Sequence, residues 1–238
     1  MRQPPLQQVT QSTDKRLGVR FLGTKFPYHD AMEQMREAIA RVDLGFDEGG
    51  GAALLFLEHQ DTITTTRLHG TRSFVLDPNA ARRDGIDVVE TDRGGDVTFH
   101  GPGQLVGYLV MRLLSPDLHL YVRSLERALL RGVRHMGFSN SCTIEGKTGV
   151  WLSGKDGVRK LIAIGVGVSN GVTRHGFALN VSTDLDKFLR YIVPCGLHGY
   201  RVTSIKREDE ALLSQWDNDG ICALLAAEIA HEFGLATV

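Results

Sequence analysis

The spacing of apolar residues changes along this chain from helical to strand-like and back to helical. Helical spacing occurs in YHDAMEQMREAIARVDLG, over residues 118–135, and near the end in ICALLAAEIAHEFG. Between these segments lie the strand-like runs AALLFLEH, TITTTR, IDVVETD, LVGYLVMRLL, TGVWL, LIAIGVGVS and HGFALNVS. Because these runs show no βαβ alternation, the sequence predicts a mixed α/β or α+β fold in which helices flank a mixed β-sheet.

The first helix carries a start signal and a stop signal. Asp30 and Glu33 have the spacing of a capping box, in which two side chains satisfy free N–H groups of the first turn. This pattern places the start of the helix at Asp30. Gly45 follows the last apolar position and is expected to end the helix.

The length, composition and net charge of the chain limit the classes of protein to which it can belong. The chain has 238 residues, of which 42% are hydrophobic and 23% charged, and this suits a globular domain that buries its own core. We expect a flexible tail over residues 1–15 and a single domain over residues 16–238. The formal net charge of −1 provides no general attraction for nucleic acid or anionic lipid, so neither is an expected partner.

Cysteine and apolar patterns indicate the compartment. Cys142, Cys195 and Cys222 lack CxxC spacing, so neither a disulfide framework nor a structural zinc site is expected. The histidines show no HxxxH or HExxH pattern, and no metal site is predicted. The N-terminal stretch MRQPPLQQVTQSTDKRLGVR has no apolar core of signal-peptide length, and no apolar run approaches ~18 residues, the length of a membrane span. We therefore expect a soluble cytoplasmic protein without a membrane partner.

A glycine-rich run, DRGGDVTFHGPGQLVGY, is the densest candidate for a binding segment. Arg93, His100 and Gln104 alternate there with glycines, which allow close approach of a ligand to the backbone and can direct N–H groups inward. A hairpin turn around HGPG explains the same composition equally well. The run matches neither the Walker loop nor GxGxxG, so it does not indicate a nucleotide phosphate site.

Two further residues are candidates for chemistry. Lys160 stands at the mouth of the apolar strand LIAIGVGVS, where it could stabilise a nearby anion or simply reach water. Cys195 lies between Pro194 and Gly196, residues that shape a turn. Free cysteines are usually small core residues, and only the turn-forming neighbours of Cys195 set it apart from that default.

Three segments together resemble the octanoyltransferases of protein lipoylation. RGGDVTFHGPGQLVGY is similar to the signature of that family, RKLIAIGV to its lysine strand, and PCGLHGYRVTSI to its cysteine segment, in the expected order. The resemblance covers roughly residues 17–234. It departs at Phe99, where the family commonly has an aromatic hydroxyl, and in KLIAIG, where KIAAIG is commoner.

The resemblance implies the fold of the biotin and lipoate protein ligase catalytic domain. It implies Cys195 as the acyl-accepting nucleophile and Lys160 as its activating partner. It also implies that three segments cradle the substrate, namely Arg93, Gly94, Gly95, Asp96, Val97, Thr98, Phe99 and His100; Ala163, Ile164 and Gly165; and Gly176, Phe177 and Ala178.

The implied reaction transfers an octanoyl group from octanoyl-acyl carrier protein, through a cysteine thioester, to a lysine of a lipoyl domain. The implied acceptors are lipoyl domains of 2-oxoacid dehydrogenase E2 subunits and the glycine cleavage H protein. No cofactor, ATP or metal is expected. An ATP-dependent lipoate or biotin ligase of the same fold remains an alternative, although the sequence lacks a GRGR-like adenylate loop, and a non-catalytic acyl-binding or lipoyl-domain-binding module is another.

An acidic carrier protein would require a local basic patch beside the pocket. Two sets of residues are candidates, the first being Arg127, Arg131 and Arg134 and the second Arg201, Lys206 and Arg207.

Overall fold

The computed structural model describes residues 16–44, 51–66, 77–113, 115, 117–192 and 201–237. Three sequence predictions fall outside these residues: the tail over residues 1–15, the stop at Gly45, and the turn that carries Cys195. Among the described helices, none is long and apolar enough to cross a membrane.

The described part of the chain contains both helices and strands. The helices are α1 (Tyr28–Leu44), α2 (Pro78–Arg83), α3 (Leu118–His135), α4 (Leu185–Tyr191), α5 (Ile205–Glu208), α6 (Glu210–Leu213) and α7 (Asn218–Phe233). The strands are β1 (Arg16–Phe21), β2 (Gly51–Leu57), β3 (Thr62–Thr66), β4 (Asp87–Thr91), β5 (Thr98–His100), β6 (Gln104–Met111), β7 (Ser141–Ile144), β8 (Lys147–Gly154), β9 (Gly157–Ser169), β10 (Val172–Asn180), β11 (Arg201–Val202) and β12 (Ala236–Thr237).

Most strands belong to one mixed sheet in the order β12-β1-β2-β6-β10-β9-β8-β7, with β11 paired beside β9. The pairs from β2 through β6, β10, β9 and β8 to β7 are antiparallel, whereas β1 pairs parallel with both β2 and β12. This arrangement confirms the predicted mixed sheet with flanking helices.

The two faces of the large sheet are covered by different helices. Leu105, Leu109 and Leu179 share a buried cluster with residues of α3 and α7, and we call this side the α3 face. Val106 and Ala178 belong to a second cluster, with residues of α1, on the opposite side, the α1 face. The division follows from strand geometry, because successive side chains of a strand point to opposite faces.

A smaller sheet in the order β4-β3-β5 lies beside the large one. Ile63 of β3 and Phe99 of β5 form a third buried cluster, together with Leu185 and Phe188 of α4. A turn stabilised by the hydrogen bond from Gln104 N to Gly101 O, at 3.1 Å, leads from β5 into β6. The glycine-rich run therefore connects the two sheets.

Local sequence fixes the ends of the two long helices on the α3 face. Asp117 caps α3 by accepting a hydrogen bond from Leu120 N at 2.9 Å, and Asp217 caps α7 by accepting one from Gly220 N at 2.8 Å. α7 ends at Gly234, whose φ of 67° is the left-handed conformation that closes many helices.

Two predictions about the first half of the chain are wrong. α1 begins at Tyr28, so Asp30 and Glu33 lie inside the helix rather than forming a capping box, and both carboxylates lie near His29. The expected absence of βαβ units also fails. The parallel pair β1 and β2 is connected through α1, and the parallel pair β3 and β4 through α2. β1 has only six residues and partly exposed side chains, which weakens its apolar signal.

Gly176 provides a test of how closely the central strands approach. An added Cβ at Gly176 would overlap the carbonyl oxygen of Gly107 on β6, a backbone atom that cannot rotate away. We expect Gly176→Ala to cost about 3 kcal/mol and to lower the Tm by roughly 6–12 °C. Gly18→Ala is the matched control, since its new methyl group would meet Ala52 O at 3.8 Å. Thermal unfolding checks both, and equal Tm values for the two variants would contradict the packing described.

Candidate functional site

A pocket that is partly open to solvent lies between the α1 face of the large sheet and the glycine-rich run. Its lining combines α1, β6, β9, β10 and the segment from Arg93 to His100. The lining residues are Tyr28, Arg93, Gly95, Asp96, Val97, Thr98, His100, Val106, Tyr108, Lys160, Ala163, Ile164, Gly165, His175, Gly176, Phe177 and Ala178.

Small residues in register form the floor of this pocket. Ala178 of β10 pairs with Ala163 of β9 on one side and with Val106 of β6 on the other. Two positions along, Gly176 pairs in the same way with Gly165 and with Tyr108. Paired residues on one face of a sheet are direct neighbours, so the small residues of β9 and β10 leave an apolar groove beside Val106 and Tyr108 of β6.

The glycine-rich run approaches the floor through backbone contacts. Gly94 N donates to Val166 O at 2.8 Å, and an added Cβ at Gly165 would lie only 2.9 Å from Gly94 O. The Arg93 guanidinium donates to Oγ1 and to the carbonyl oxygen of Thr64 on β3, at 2.9–3.1 Å. Arg93 therefore connects the run to the small sheet, and glycine is required where the run meets β9.

Lys160 reaches this pocket because β9 contains a bulge. The register between β8 and β9 shifts so that Trp151 pairs with Lys160 while the preceding β8 residue pairs with Ile162, which makes Leu161 the extra residue. In a regular strand Lys160 and Ala163 would point to opposite faces. Because of the extra residue, Leu161 and Ile162 both lie in the core on the α3 face, and Lys160 lines the pocket with Ala163.

Cys195 is outside the described residues, but both ends of its segment are described. The chain enters the segment from the buried residue Ile192 and leaves it into β11. Val202 of β11 pairs with Lys160, and Thr203 N donates to Lys160 O at 2.9 Å. The described residues that follow the Cys195 segment therefore lie against Lys160, which the resemblance implies as the partner of Cys195.

A buried histidine beside the pocket was not identified from the sequence. His59 is fully buried, with Nδ1 at 3.1 Å from Phe26 O and Nε2 at 2.7 Å from Tyr108 Oη. A carbonyl oxygen only accepts, so Nδ1–H donates to Phe26 O and Nε2 accepts from the Tyr108 hydroxyl. Burial lowers the pKa of His59 to about 4, which keeps the ring neutral.

A chain of side-chain hydrogen bonds connects His100 to the segment after Cys195. Gln104 Nε2 donates to Asn180 Oδ1 at 2.9 Å, and Asn180 Nδ2 donates to Thr203 O at 2.9 Å. Gln104 Oε1 is therefore the acceptor for His100 Nδ1–H at 2.7 Å. Burial also places the pKa of His100 well below its usual value, so the ring is neutral. These hydrogen bonds therefore connect the glycine-rich run to Thr203, the residue whose N–H contacts Lys160 O.

His175 also lines the pocket and lies in a strained backbone conformation. Its φ of 59° is left-handed, which is uncommon for a non-glycine residue within a strand. His175 Nε2 lies 2.9 Å from Asp92 Oδ1, and Arg174 lies 2.7 Å from the other oxygen of that carboxylate. Burial lowers the pKa of His175. Burial alone would raise the pKa of Asp92, but the hydrogen bond to His175 and the charge of Arg174 outweigh it and lower that pKa.

Stability should fall in mild acid because of these buried rings. His59 binds a proton near pH 6.5 when unfolded but only near pH 4 when folded, so the unfolded state binds more protons between these values. We expect His59 alone to lower the free energy of unfolding by about 2 kcal/mol at pH 5 relative to pH 7.5. Urea unfolding of the wild type and of His59→Gln, which can still donate to Phe26 O, measures this. Identical pH dependence in both proteins would contradict a neutral, buried His59.

The pocket brings together most of the residues that the resemblance implies, and their roles stay predictions. Lys160 and all predicted substrate-cradling residues except Gly94 and Phe99 line it. Gly94 is not a lining residue but donates a backbone hydrogen bond to Val166 of β9, and Phe99 packs against Phe188 of α4. The residues missed are Tyr28, Val106, Tyr108 and His175, and only the position of His175 beside a glycine-rich strand gave any signal. The turn at HGPG exists but is not a hairpin, because it joins β5 of the small sheet to β6 of the large sheet, and the residues before it line the pocket.

The first candidate for a basic patch is wrong. Arg127 and Arg131 are paired with Glu228 and Glu232 of α7 at N···O distances of 2.6–2.9 Å. These carboxylates neutralise them, and α3 covers the face opposite the pocket.

The second candidate set stays a prediction. Lys206 Nζ lies 3.6 Å from Glu210, and Arg201 is exposed on β11 beside the strand that carries Lys160.

A protein-family model described as the lipoyl protein ligase A/B catalytic domain matches residues 27–230. The pocket, the small sheet and all described strands of the large sheet except β1 and β12 lie within these residues. The match therefore covers the candidate site as well as most of the fold.

Individual relatives and solved structures agree with this match. An octanoyltransferase from Mycobacterium leprae strain Br4923 is 44% identical over 196 residues, which cover 81% of this chain and 78% of the relative. A structure of lipoate-protein ligase A bound with ATP is 16% identical with a TM-score of 0.71, and covers 95% of this chain and 90% of that one. The bipartite lipoate protein ligase of Thermoplasma acidophilum is 18% identical with a TM-score of 0.66, over 94% and 87% of the two chains. At these low identities the two structures show the fold alone.

Proposed function

Since the chain belongs to the octanoyltransferases within the lipoyl protein ligase A/B catalytic-domain family, we propose that it moves an octanoyl group from an acyl carrier protein to a lysine of a lipoyl domain. The acceptors proposed are the lipoyl domains of 2-oxoacid dehydrogenase E2 subunits and the glycine cleavage H protein. The observation that carries the proposal is the pocket, which joins Lys160 to an apolar groove of small residues and a glycine-rich run.

The groove supports an acyl chain as the bound group. Its floor consists of Ala163, Ala178 and Val106 beside Gly165 and Gly176, so small side chains leave room for a linear chain along β9 and β10, with Tyr108 of β6 at the side. Each buried methylene contributes about 0.8 kcal/mol, so an octanoyl tail gains several kcal/mol from such a groove.

In the first half of the reaction, the Cys195 thiolate attacks the thioester carbonyl of the octanoyl carrier. The new carbon–sulfur bond forms as the bond to the carrier sulfur breaks, and the carrier leaves as a thiolate. The Lys160 ammonium favours the anionic form of Cys195 by charge attraction. It then donates a proton to the leaving sulfur, so that free carrier thiol, octanoyl-Cys195 and a neutral Lys160 amine result.

The second half of the reaction restores the starting charges. The amine of the lipoyl-domain lysine attacks the octanoyl-Cys195 carbonyl, the carbon–nitrogen bond forms, and the Cys195 thiolate leaves. The neutral Lys160 accepts the proton that the attacking nitrogen releases. Backbone N–H groups of the glycine-rich segments would stabilise the oxyanion of each tetrahedral intermediate, at about 3 kcal/mol per donor.

The chemistry itself removes the need for ATP or a metal in this proposal. The first step exchanges one thioester for another, which is nearly balanced in energy. The second step converts a thioester into an amide and is strongly downhill. The acyl group therefore arrives already activated by the carrier.

Single-turnover transfer tests the proposal and separates it from the ligase alternative. We expect the enzyme to transfer octanoyl from octanoyl-acyl carrier protein to an apo lipoyl domain without ATP. A matched reaction supplies free lipoate, ATP and radiolabelled pyrophosphate. Pyrophosphate exchange without carrier-dependent transfer would identify an ATP-dependent ligase, and binding of the lipoyl domain without either reaction would identify a non-catalytic module.

A further inference from the structure

The side chain of Lys160 lies against β8, on the wall of the pocket. Its Nζ lies 4.6 Å from the centre of the Trp151 ring, and the two residues are paired in register across β8 and β9. Trp151 is fully buried, so its ring is held rigidly by its surroundings. The distance is within the range at which an ammonium is attracted to the face of an aromatic ring.

The same stretch of β8 leaves room for the stem of Lys160. Gly149 has a φ of 126°, and a Cβ there would lie 3.5 Å from Lys160 Cε and would clash with the carbonyl oxygen of Ile162. Gly149 N donates to the buried carboxylate of Glu126 on α3 at 2.8 Å. Glu126 is in turn paired with Arg123 at 2.6 Å. α3 therefore anchors β8 at the point where the lysine stem passes.

We propose that Trp151 is the positioning residue that holds the Lys160 ammonium at the pocket wall as the counter-ion of the Cys195 thiolate. The proposal rests on the octanoyl transfer proposed above. It adds a residue outside both the pocket lining and the segments implied by resemblance.

An aromatic face suits this role for a physical reason. The ring attracts the cation through its quadrupole and carries no net charge, so it holds the ammonium without neutralising it. Loss of the ring should therefore slow thiolate-dependent reactions of Cys195 by about two- to thirtyfold.

The contact itself is tested by fluorescence. The chain contains two tryptophans, so Trp216→Phe leaves Trp151 as the single indole emitter. In that background, we expect Lys160→Met to change the intensity or maximum of the Trp151 emission, and Lys155→Met, at an exposed turn, to leave both unchanged. An emission spectrum unaffected by Lys160→Met would overturn the contact.

The effect on the thiolate is tested by alkylation with iodoacetamide at neutral pH. Mass spectrometry of the tryptic peptide 191–201 follows Cys195 alone. We expect Trp151→Leu to slow alkylation by two- to thirtyfold, Trp151→Phe to retain part of the wild-type rate, and Trp216→Leu to retain all of it. Trp151→Leu with a wild-type rate would overturn the role of Trp151.

Cys142 reports in the same experiment whether β8 stays folded. It pairs with Trp151 across β7 and β8, so local opening would speed its alkylation. A slow Cys195 together with an unchanged Cys142 supports an electrostatic effect. If Trp151→Leu opens the strand pair, the alkylation rates of Cys195 in Trp151→Phe and in the wild type are compared instead. Equal rates for Cys195 in those two proteins, together with an emission spectrum unaffected by Lys160→Met, would overturn the proposal.

These measurements need no octanoyl donor, so they are separate from the test of the proposed function. A wild-type alkylation rate in Lys160→Met would contradict the cysteine–lysine pair itself. A slow rate in Lys160→Met, with wild-type behaviour of Trp151→Leu, would overturn only the positioning role. Absence of octanoyl transfer with all expected alkylation effects would contradict the substrate and leave the assignment of Trp151 standing.

Discussion

Lys160→Met should lower the rate of octanoyl transfer by about 10²- to 10⁴-fold, the usual contribution of a positioned acid and base. Methionine keeps the length of the stem but has neither charge nor proton. Both halves of the reaction should slow, because Lys160 donates a proton in one half and accepts it in the other. Single-turnover kinetics with octanoyl-acyl carrier protein measure the first half, and transfer from preformed octanoyl enzyme measures the second.

Lys155→Met is the matched control for this prediction. Lys155 is exposed on the turn between β8 and β9, the same two strands that position Lys160. Its replacement should leave both half-reactions unchanged. Wild-type kinetics for Lys160→Met, with a circular dichroism spectrum like that of the wild type, would show that this lysine has no part in the chemistry.

Ala178→Leu should lower octanoyl transfer by about 50-fold. The added carbons occupy the groove between Ala163 and Val106 and displace about three methylenes of the acyl chain, at about 0.8 kcal/mol each. The measurement is kcat/KM for the octanoyl carrier under steady-state conditions.

A short acyl donor provides the control for this variant. A butanoyl carrier fills less of the groove, so its transfer should fall much less than that of the octanoyl carrier. Because both donors act on the same variant, a general loss of folding affects them equally. Equal losses for the two donors would show that Ala178 does not contact the acyl chain.

Some features of the candidate site could be predicted from the sequence, and others could not. The sequence marked Gly165 and Gly176 as unusual because glycine is uncommon within strands. The structure shows that each lies close to the backbone of another segment, Gly165 to Gly94 and Gly176 to Gly107. The position of Lys160 was visible only through resemblance. Alternation of side chains would place it on the face opposite Ala163, and only the bulge at Leu161 brings the two together.

The histidines show why long-range contacts escaped prediction. His59, His100 and His175 come from distant parts of the chain, and neither spacing nor composition relates them. The rings of His59 and His100 lie 5.4 Å apart between their centres, a proximity that only the tertiary structure creates. Their neutral state follows from burial, which a sequence does not show.

The wrong start of α1 has a simpler cause. Asp30 and Glu33 match a local pattern, but the helix continues towards the N-terminus because Ala31 N donates to Pro27 O, which makes a further turn possible. Tyr28 thereby lies within the first turn and reaches the pocket. Tertiary packing of that ring outweighs the capping pattern.

Intact-mass spectrometry after mixing with octanoyl-acyl carrier protein tests the central claim most directly. The wild type should gain the mass of one octanoyl group and lose it when an apo lipoyl domain is added. Cys195→Ala should gain nothing under the same conditions. An octanoyl adduct on Cys195→Ala, or transfer to the lipoyl domain by that variant, would contradict a thioester on Cys195.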